Sequence, residues 1–223
     1  MPARPASHHD VVHTRRPIHR DMDGDTADFP SIESAREAAR TCRRCPLWHD
    51  ATQTVFGEGP DHAAVVFVGE QPGDQEDLAG RPFVGPAGRV FDDVLEEAEI
   101  DRAKTYVTNA VKHFKFERRG KRRLHMKPNA GEIRACRWWL NAELSLTRPK
   151  LVVALGATAA QALLGKAVPV TKLRGSVVER DDGLRVFVTI HPSFILRIPE
   201  EIDKQAERRR FLADMQKVGR LMG

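Results

Sequence analysis

Two cysteines separated by two residues, Cys42 and Cys45, are the first residues in the chain that could do chemistry. Such a pair is compatible with zinc, an iron–sulfur cluster or a redox-active dithiol. The third cysteine, Cys136, lies far away on a predicted helix, and His113 ends the strand before that helix. Thiolate and imidazole both bind soft or borderline metals, so these four residues form a candidate metal site. The alternative for Cys136 is a small residue buried in the core.

Glycine, acidic and imidazole residues are concentrated directly after four β-rich runs, which are predicted at 64–69, 105–111, 151–155 and 185–190. The segments that follow them are, in order, GEQPGDQED (69–77) with GRPFVGPAG (80–88), a basic loop ending in His125, Gly156, and His191-Pro192-Ser193. In open α/β sheets, ligands bind beyond the carboxyl ends of the strands. We therefore expect these segments to converge on one site.

The elements that must position these residues alternate between strand and helix. Apolar residues recur at helical spacing at 90–98 and 133–144, and two further helices are predicted at 157–164 and 206–221. This order predicts a single α/β domain with a mostly parallel central sheet and helices on both faces. Asp181-Asp182-Gly183 predicts a hairpin turn, and so an antiparallel interruption near the end. The predicted domain spans 31–223, and residues 1–30 have the composition of a disordered arm.

Positive charge is unevenly distributed in a chain whose net charge is +5. Five cations lie within six positions at 118–123, and Arg208, Arg209 and Arg210 form a second run. Clustered cations favour phosphate contacts, although an isolated run is more often a solvated surface. Three cysteines without an apolar export signal disfavour a disulfide framework and favour a cytoplasmic location. No apolar run reaches the roughly 18 residues of a membrane span.

Several of these segments together resemble one family. The combination of Cys42-x-x-Cys45, GEQPGDQEDLAGRPFVGPAG (69–88), TNAVKHFKF (108–116), KRRLH (121–125) and HPS (191–193) is similar to the uracil-DNA glycosylase superfamily. Within it the chain resembles the UdgX type, relatives of the family 4 iron–sulfur enzymes, from about residue 35 onward. The 69–77 and 121–125 segments are specific to that type, whereas CxxC and HPS alone are not.

The resemblance implies a cofactor, a substrate and a binding pocket. The cofactor is a [4Fe-4S] cluster held by Cys42, Cys45, His113 and Cys136, with His113 at the position where family 4 enzymes have a cysteine. The substrate is uracil-containing DNA, single- or double-stranded, bound by a monomer that releases free uracil. The implied pocket and DNA-binding residues are Phe83 beneath the flipped base, Asn109 and Gly69 at its polar edge, and Lys121, Arg122, Arg123, Ser193 and Arg197 on the DNA.

The resemblance also implies the catalytic residues. His191 stabilises charge on the departing uracil, and His125 attacks C1′ to form a stable covalent adduct. Glu70, Gln71 and Asp74 are expected to orient His125 or to balance the oxocarbenium charge, and nearby cations to keep His125 neutral. Without the resemblance, His125 contacting phosphate is the simpler interpretation. Two alternatives remain open for the whole protein: a hydrolytic family 4-like glycosylase that turns over, and a non-enzymatic iron–sulfur protein that binds uracil-DNA.

Overall fold

The computed structural model describes residues 28–222, and strands alternate with helices along most of that length. The strands are β1 (Val65–Gly69), β2 (Tyr106–Asn109), β3 (Phe116–Arg119), β4 (Arg122–His125), β5 (Leu151–Leu155), β6 (Ser176–Glu179) and β7 (Arg185–Thr189). The α-helices are α1 (Ile32–Ala39), α2 (Asp74–Ala79), α3 (Pro86–Glu97), α4 (Ala130–Thr147), α5 (Ala157–Leu164), α6 (Val170–Leu173), α7 (Pro192–Leu196) and α8 (Glu201–Met222). None of these helices is both long enough and apolar enough to cross a membrane.

The central sheet has the strand order β2-β1-β5-β7-β6. The first four strands are parallel, and β6 pairs antiparallel with β7 through the turn at 180–184. This confirms the mostly parallel sheet and the hairpin predicted from Asp181-Asp182-Gly183. The second strand is shorter than predicted, because it ends at Asn109 rather than at residue 111. Parallel pairing puts Gly69 beside Asn109, so that both lie at the carboxyl edge of the sheet.

Helices cover both faces of the sheet because successive side chains of its buried strands point in opposite directions. In β1, Val66 and Val68 pack with apolar side chains of α1, α4 and α5. Val65 and Phe67 pack instead with side chains of α3 and α8. All four side chains are fully buried, which explains why β1 reads as a continuous apolar run rather than as an alternating one.

The basic segment before His125 is a hairpin, which corrects our interpretation of it as a loop. Strands β3 and β4 pair antiparallel, and Phe116 lies opposite His125. Gly120 turns the chain between them at a φ of 59°, a left-handed value that glycine adopts without strain. His125 therefore lies at the end of a paired strand rather than on a freely moving loop.

The N-terminal prediction falls mostly outside the described residues, since the description begins at residue 28. The disorder of the arm stays a prediction. The first helix begins with a reciprocal capping box: the Ser34 amide donates to Ser31 Oγ and the Ser31 amide donates to Ser34 Oγ, each at 3.1 Å.

Candidate active site at the carboxyl edge of the sheet

A cleft of about 1490 Å³ opens where the strands of the central sheet end. Nine of the predicted site residues are in its lining: Glu70, Gln71, Asp74, Phe83, Asn109, His125, His191, Ser193 and Arg197. They come from β2, from the hairpin and from the segments after β1 and β7, so the fold brings together side chains that are up to 127 positions apart in the sequence, from Glu70 to Arg197. The predicted convergence of the strand-end segments is therefore present in the structure.

Asn109 and Phe83 meet over Gly69. A Cβ at Gly69 would lie 2.3 Å from Asn109 Oδ1 and 2.7 Å from Phe83 Cζ, so only glycine fits there. Asn109 is 2% exposed and Phe83 is 7% exposed, but both line the cleft. An amide edge beside an aromatic face is suited to a flat heterocycle with donor and acceptor groups on its rim.

The Phe83 loop is held rigidly. Phe83 adopts a φ of 58°, which is unusual for a residue with a side chain. Its ring centroid lies 5.1 Å from that of Phe91, and its carbonyl packs so closely on Gly88 that a Cβ there would come within 1.8 Å. The Gly85 amide also donates to Glu76 Oε1 at 2.7 Å. These contacts fix the aromatic face before any ligand arrives.

His191 caps α7 with its own ring. The Ser193 amide donates to His191 Nδ1 at 3.2 Å, and Ser193 Oγ lies 2.8 Å from the same nitrogen. Burial lowers the pKa of His191 to about 4, with smaller contributions from Arg197 and His125. The ring is therefore neutral near pH 7, and because Nδ1 accepts, its proton lies on Nε2 as a donor. Ser193, predicted to bind DNA, contacts His191 in this structure.

His125 lies beside a carboxylate. Its Nε2 is 3.3 Å from Glu70 Oε1, and Thr158 Oγ1 donates to Glu70 Oε2 at 2.5 Å. The His125 side chain is 46% exposed and lines the cleft. Its pKa is lowered from the ordinary value of 6.5, mainly by burial, while Glu70 raises it and Arg197 lowers it. A lowered pKa agrees with our expectation that His125 is neutral. Burial is the main cause, however, and the nearby cation is Arg197.

Gln71 contacts the two ends of the hairpin instead of the His125 ring. Its Nε2 donates to the Lys115 carbonyl at 3.1 Å and to the Met126 carbonyl at 3.0 Å. The Lys115 amide donates back to Gln71 Oε1 at 3.1 Å. Any orienting effect of Gln71 on His125 therefore acts through the backbone that carries it.

Arg123 and Asp74 form an ion pair, a contact that the sequence did not predict. Arg123 Nε lies 2.5 Å from Asp74 Oδ1, and Arg123 NH1 lies 2.6 Å from Asp77 Oδ2. The Arg123 side chain is only 12% exposed and connects the hairpin to α2, and its contact with DNA stays a prediction. Asp74 accordingly contacts Arg123 and not His125. Lys121 and Arg122 are exposed, as phosphate contacts require.

Two residues that hold the site together, Asp77 and Thr158, were not predicted from the sequence. Asp77 is fully buried and accepts the Thr52 amide at 3.0 Å in addition to Arg123. Its spacing of three from Asp74 on a helix was the available signal, since such residues share a face. Thr158, the partner of Glu70, carried no signal beyond its position in the first turn of the helix after β5.

The predicted cluster ligands lie on one side of the core. Cys42 and Cys45 pack against the same apolar cluster that contains Cys136. Trp139 Nε1 donates to Cys42 Sγ at 3.0 Å, and the Lys112 amide donates to Cys136 Sγ at 3.1 Å. His113 Nε2 lies 3.0 Å from Thr54 Oγ1, whereas its buried Nδ1 has no hydrogen-bond partner among residues 28–222. A buried nitrogen without a partner is an uncommon feature that a ligand bond would explain.

Within residues 28–222, the His, Cys, Asp and Glu side chains as they stand do not form a group of three or more arranged to hold a metal ion. Burial raises the pKa of the Cys136 thiol to about 12, and it also raises that of Cys45. Each of these thiols interacts electrostatically with Cys42. The donor set, three soft thiols and one buried imidazole, fits an iron–sulfur cluster by its chemistry.

Comparison with known proteins matches the same part of the chain. A model of the uracil DNA glycosylase superfamily matches residues 56–216. The Type-4 uracil-DNA glycosylase of Thermotoga maritima is 40% identical over 167 residues, covering 74% of this chain and 83% of the relative. The Type-4 uracil-DNA glycosylase of Archaeoglobus fulgidus is 30% identical over 200 residues, covering 86% of this chain and 94% of that relative. The chain belongs to the uracil-DNA glycosylase superfamily.

Proposed function

We propose that this protein excises uracil from DNA and captures the resulting abasic sugar covalently on His125, as a UdgX-type enzyme. The observation that carries the proposal is the contact of His125 with Glu70 in the cleft that also contains Asn109, Phe83 and His191. A base-reading pocket and a nucleophile then share one cavity. Uracil-DNA glycosylase activity itself is supported by the Type-4 relatives.

Excision begins when a nucleotide is flipped out of the stack into the cleft. Phe83 supplies a face for the uracil ring, and the Asn109 amide pairs with its polar edge. As the bond between C1′ and N1 breaks, its electron pair moves onto uracil. The neutral His191 donates from Nε2 to a uracil oxygen, which stabilises the developing negative charge without having to lose a proton.

Capture follows at the sugar carbon left by uracil. One ring nitrogen of His125 presents its lone pair to C1′, and a nitrogen–carbon bond forms. The other ring nitrogen keeps its proton towards Glu70, whose carboxylate balances the positive charge of the imidazolium product. Thr158 holds Glu70 in place by donating to its second oxygen. With the imidazole in the place of an attacking water, the adduct persists.

A denaturing gel of the protein mixed with uracil-containing single-stranded DNA separates this proposal from its alternatives. We expect a shifted band that resists heat and SDS. Alkali-cleavable DNA without a shifted band would indicate a hydrolytic glycosylase that turns over. DNA that is neither shifted nor cleaved would indicate a non-enzymatic uracil-DNA binding protein, and either result would contradict covalent capture.

We expect a distinctive pH profile because the pKa of His125 lies below 6.5. More than half of the imidazole is then neutral at pH 6.5, so the acidic limb of the single-turnover capture rate should have its midpoint below pH 6.5. Glu70→Gln removes the carboxylate that raises the pKa of His125, and should therefore move the acidic limb to lower pH. A limb centred above 6.5, or one that Glu70→Gln moves upward, would contradict this assignment.

We further propose that Cys42, Cys45, His113 and Cys136 hold a [4Fe-4S] cluster. The unpartnered Nδ1 of His113 and the three thiols supply its donors. When bound, the cluster would contribute folding energy by linking the segment before β1 to the segment after β2 and to α4, and excision requires no electron from it.

Purified protein should accordingly be brown, with about four iron and four sulfide per chain. Cys136→Ala should lose iron and lower the melting temperature together, because cluster binding and folding are coupled. His113→Cys, which restores a thiol at the fourth position, should retain the iron and serves as the matched variant. Stoichiometric zinc without sulfide in the wild-type protein would rule out the cluster.

A further inference from the structure

A lysine and a glutamate form an ion pair in the core beneath the base pocket. Lys112 follows β2, Glu143 lies on α4, and both side chains are completely buried. Lys112 Nζ lies 2.5 Å from Glu143 Oε2. Lysine and glutamate are almost never fully buried unless paired, and such pairs are often no more stabilising than apolar residues of similar volume. Stability alone is therefore a weak explanation for this pair.

The ammonium group of Lys112 ends at Asn109. Its three protons match three acceptors: Thr108 Oγ1 at 2.7 Å, the Asn109 carbonyl at 2.7 Å, and Glu143 Oε2. The chain bends at residues 110–113 after β2, and the side chain of Lys112 reaches the carbonyl of the strand's last residue. The backbone at Asn109 is thus held by a charged hydrogen bond, which is stronger than a neutral one.

Glu143 fixes the lysine in turn. Its Oε1 accepts from the Gly57 amide at 2.8 Å, from Tyr106 OH at 3.1 Å and from Thr108 Oγ1 at 3.0 Å. These donors come from a loop and from β2, so the carboxylate cannot move without breaking several buried bonds. The Asn109 side chain packs closely on Gly69 at its other end, since a Cβ at Gly69 would lie 2.3 Å from Oδ1.

We propose that the Lys112–Glu143 pair is a positioning device for base recognition, which holds Asn109 so that its amide meets the polar edge of uracil. This inference rests on the proposed function, since Asn109 is the uracil-reading residue in it. Neither Lys112 nor Glu143 lines the cleft, so both act through Asn109. Removal of the pair should slow uracil release only as long as Asn109 is there to be positioned.

A double-mutant cycle on the single-turnover rate of uracil release tests this prediction. Asn109→Ala should slow release by about 10- to 100-fold, because it leaves a buried polar edge unpaired. The apolar replacement Lys112→Met with Glu143→Leu keeps the core filled and should slow release by about tenfold when Asn109 is present. In the Asn109→Ala background the same replacement should change the rate by less than about twofold.

Leu140→Ala is the matched control for lost stability. Leu140 is a fully buried apolar residue on α4, three positions before Glu143. Leu140→Ala should lower the melting temperature, and its effect on the rate of uracil release should be the same with or without Asn109. If the variant with Lys112→Met and Glu143→Leu does not fold, Glu143→Gln takes its place in the double-mutant cycle, since it changes the side-chain volume very little. Iron content measured on every variant identifies any loss of the cluster.

If the apolar replacement slows release by the same factor with Asn109 and with Asn109→Ala, the positioning role is overturned. It is also overturned if the effect of Leu140→Ala depends on Asn109 in the same way as that of the apolar replacement. Free uracil and the covalent complex are measured separately in each reaction. A wild-type protein that neither releases uracil nor captures DNA would refute the proposed function and this inference with it. If the wild-type protein is active, but the rate factors of Asn109→Ala and of the apolar replacement simply multiply in the combined variant, the inference alone is refuted.

Discussion

His125→Ala should abolish the SDS-resistant complex with uracil-DNA while uracil release continues. The substitution removes the nucleophile but leaves Glu70, Asn109, Phe83 and His191, so the bond to uracil can still break. It also opens space beside C1′ that water can occupy. The covalent band should fall to background, and alkali-sensitive abasic DNA should accumulate as a released product. His125→Ser, which keeps a small polar group able to hold that water, should show the switch more clearly.

The matched control for this switch is His62→Ala, since His62 is exposed and does not line the cleft. This variant should capture DNA like the wild-type protein. If His125→Ala retains the stable complex, the nucleophile is a different residue. If it loses uracil release as completely as it loses capture, His125 takes part in breaking the bond rather than in trapping its product.

Gly69→Ala should have the second large effect. The added methyl group would lie 2.3 Å from Asn109 Oδ1 and 2.7 Å from Phe83 Cζ, closer than side-chain atoms pack. Phe83 cannot withdraw, because Phe91 and Gly88 hold it. Overpacking of this kind costs about 1–3 kcal/mol, which corresponds to about 5- to 150-fold in rate when it falls within the base pocket. Single-turnover uracil release should show this loss.

Gly219→Ala on α8 is the control for a glycine-to-alanine change. Its Cβ would meet other atoms only at 3.8 Å, so the variant should be as active as the wild-type protein. Thermal unfolding of Gly69→Ala distinguishes a blocked pocket from a misfolded chain. Near-normal activity of a folded Gly69→Ala protein would show that uracil does not bind between Asn109 and Phe83.

The fold followed from the sequence because its signals are local. Fully buried parallel strands such as β1 and β5 read as short apolar runs, and the segments after them carry glycine and polar residues. Parallel strands bring their carboxyl ends to one edge of the sheet. Glu70, Asn109 and His191 could therefore be placed together from their positions near the ends of predicted strands. Asp181-Asp182-Gly183 identified the antiparallel edge strand by the turn chemistry of its own residues.

The partners within the site could not be derived in this way, because they depend on which side chains meet across long sequence distances. Arg123 is indistinguishable in sequence from its neighbours Lys121 and Arg122, and only the pleat of the hairpin turns it towards Asp74 and Asp77. The same limit applies to Gln71, whose amide closes the base of the hairpin. Side-chain direction in a two-stranded ribbon alternates, so a shift of one residue decides whether a cation is exposed to solvent or forms an internal ion pair.

The central claim is that the abasic sugar is attached to His125, and peptide mapping of the wild-type complex by mass spectrometry tests it most directly. Trypsin cuts after Arg123 but not at Lys127, which precedes proline, so His125 falls within the peptide 124–134. After nuclease digestion, this peptide should carry the mass of the sugar remnant, and its fragment ions should place that mass on His125 rather than on Lys127. An adduct on Lys121, on Lys127 or on any other peptide would contradict the account.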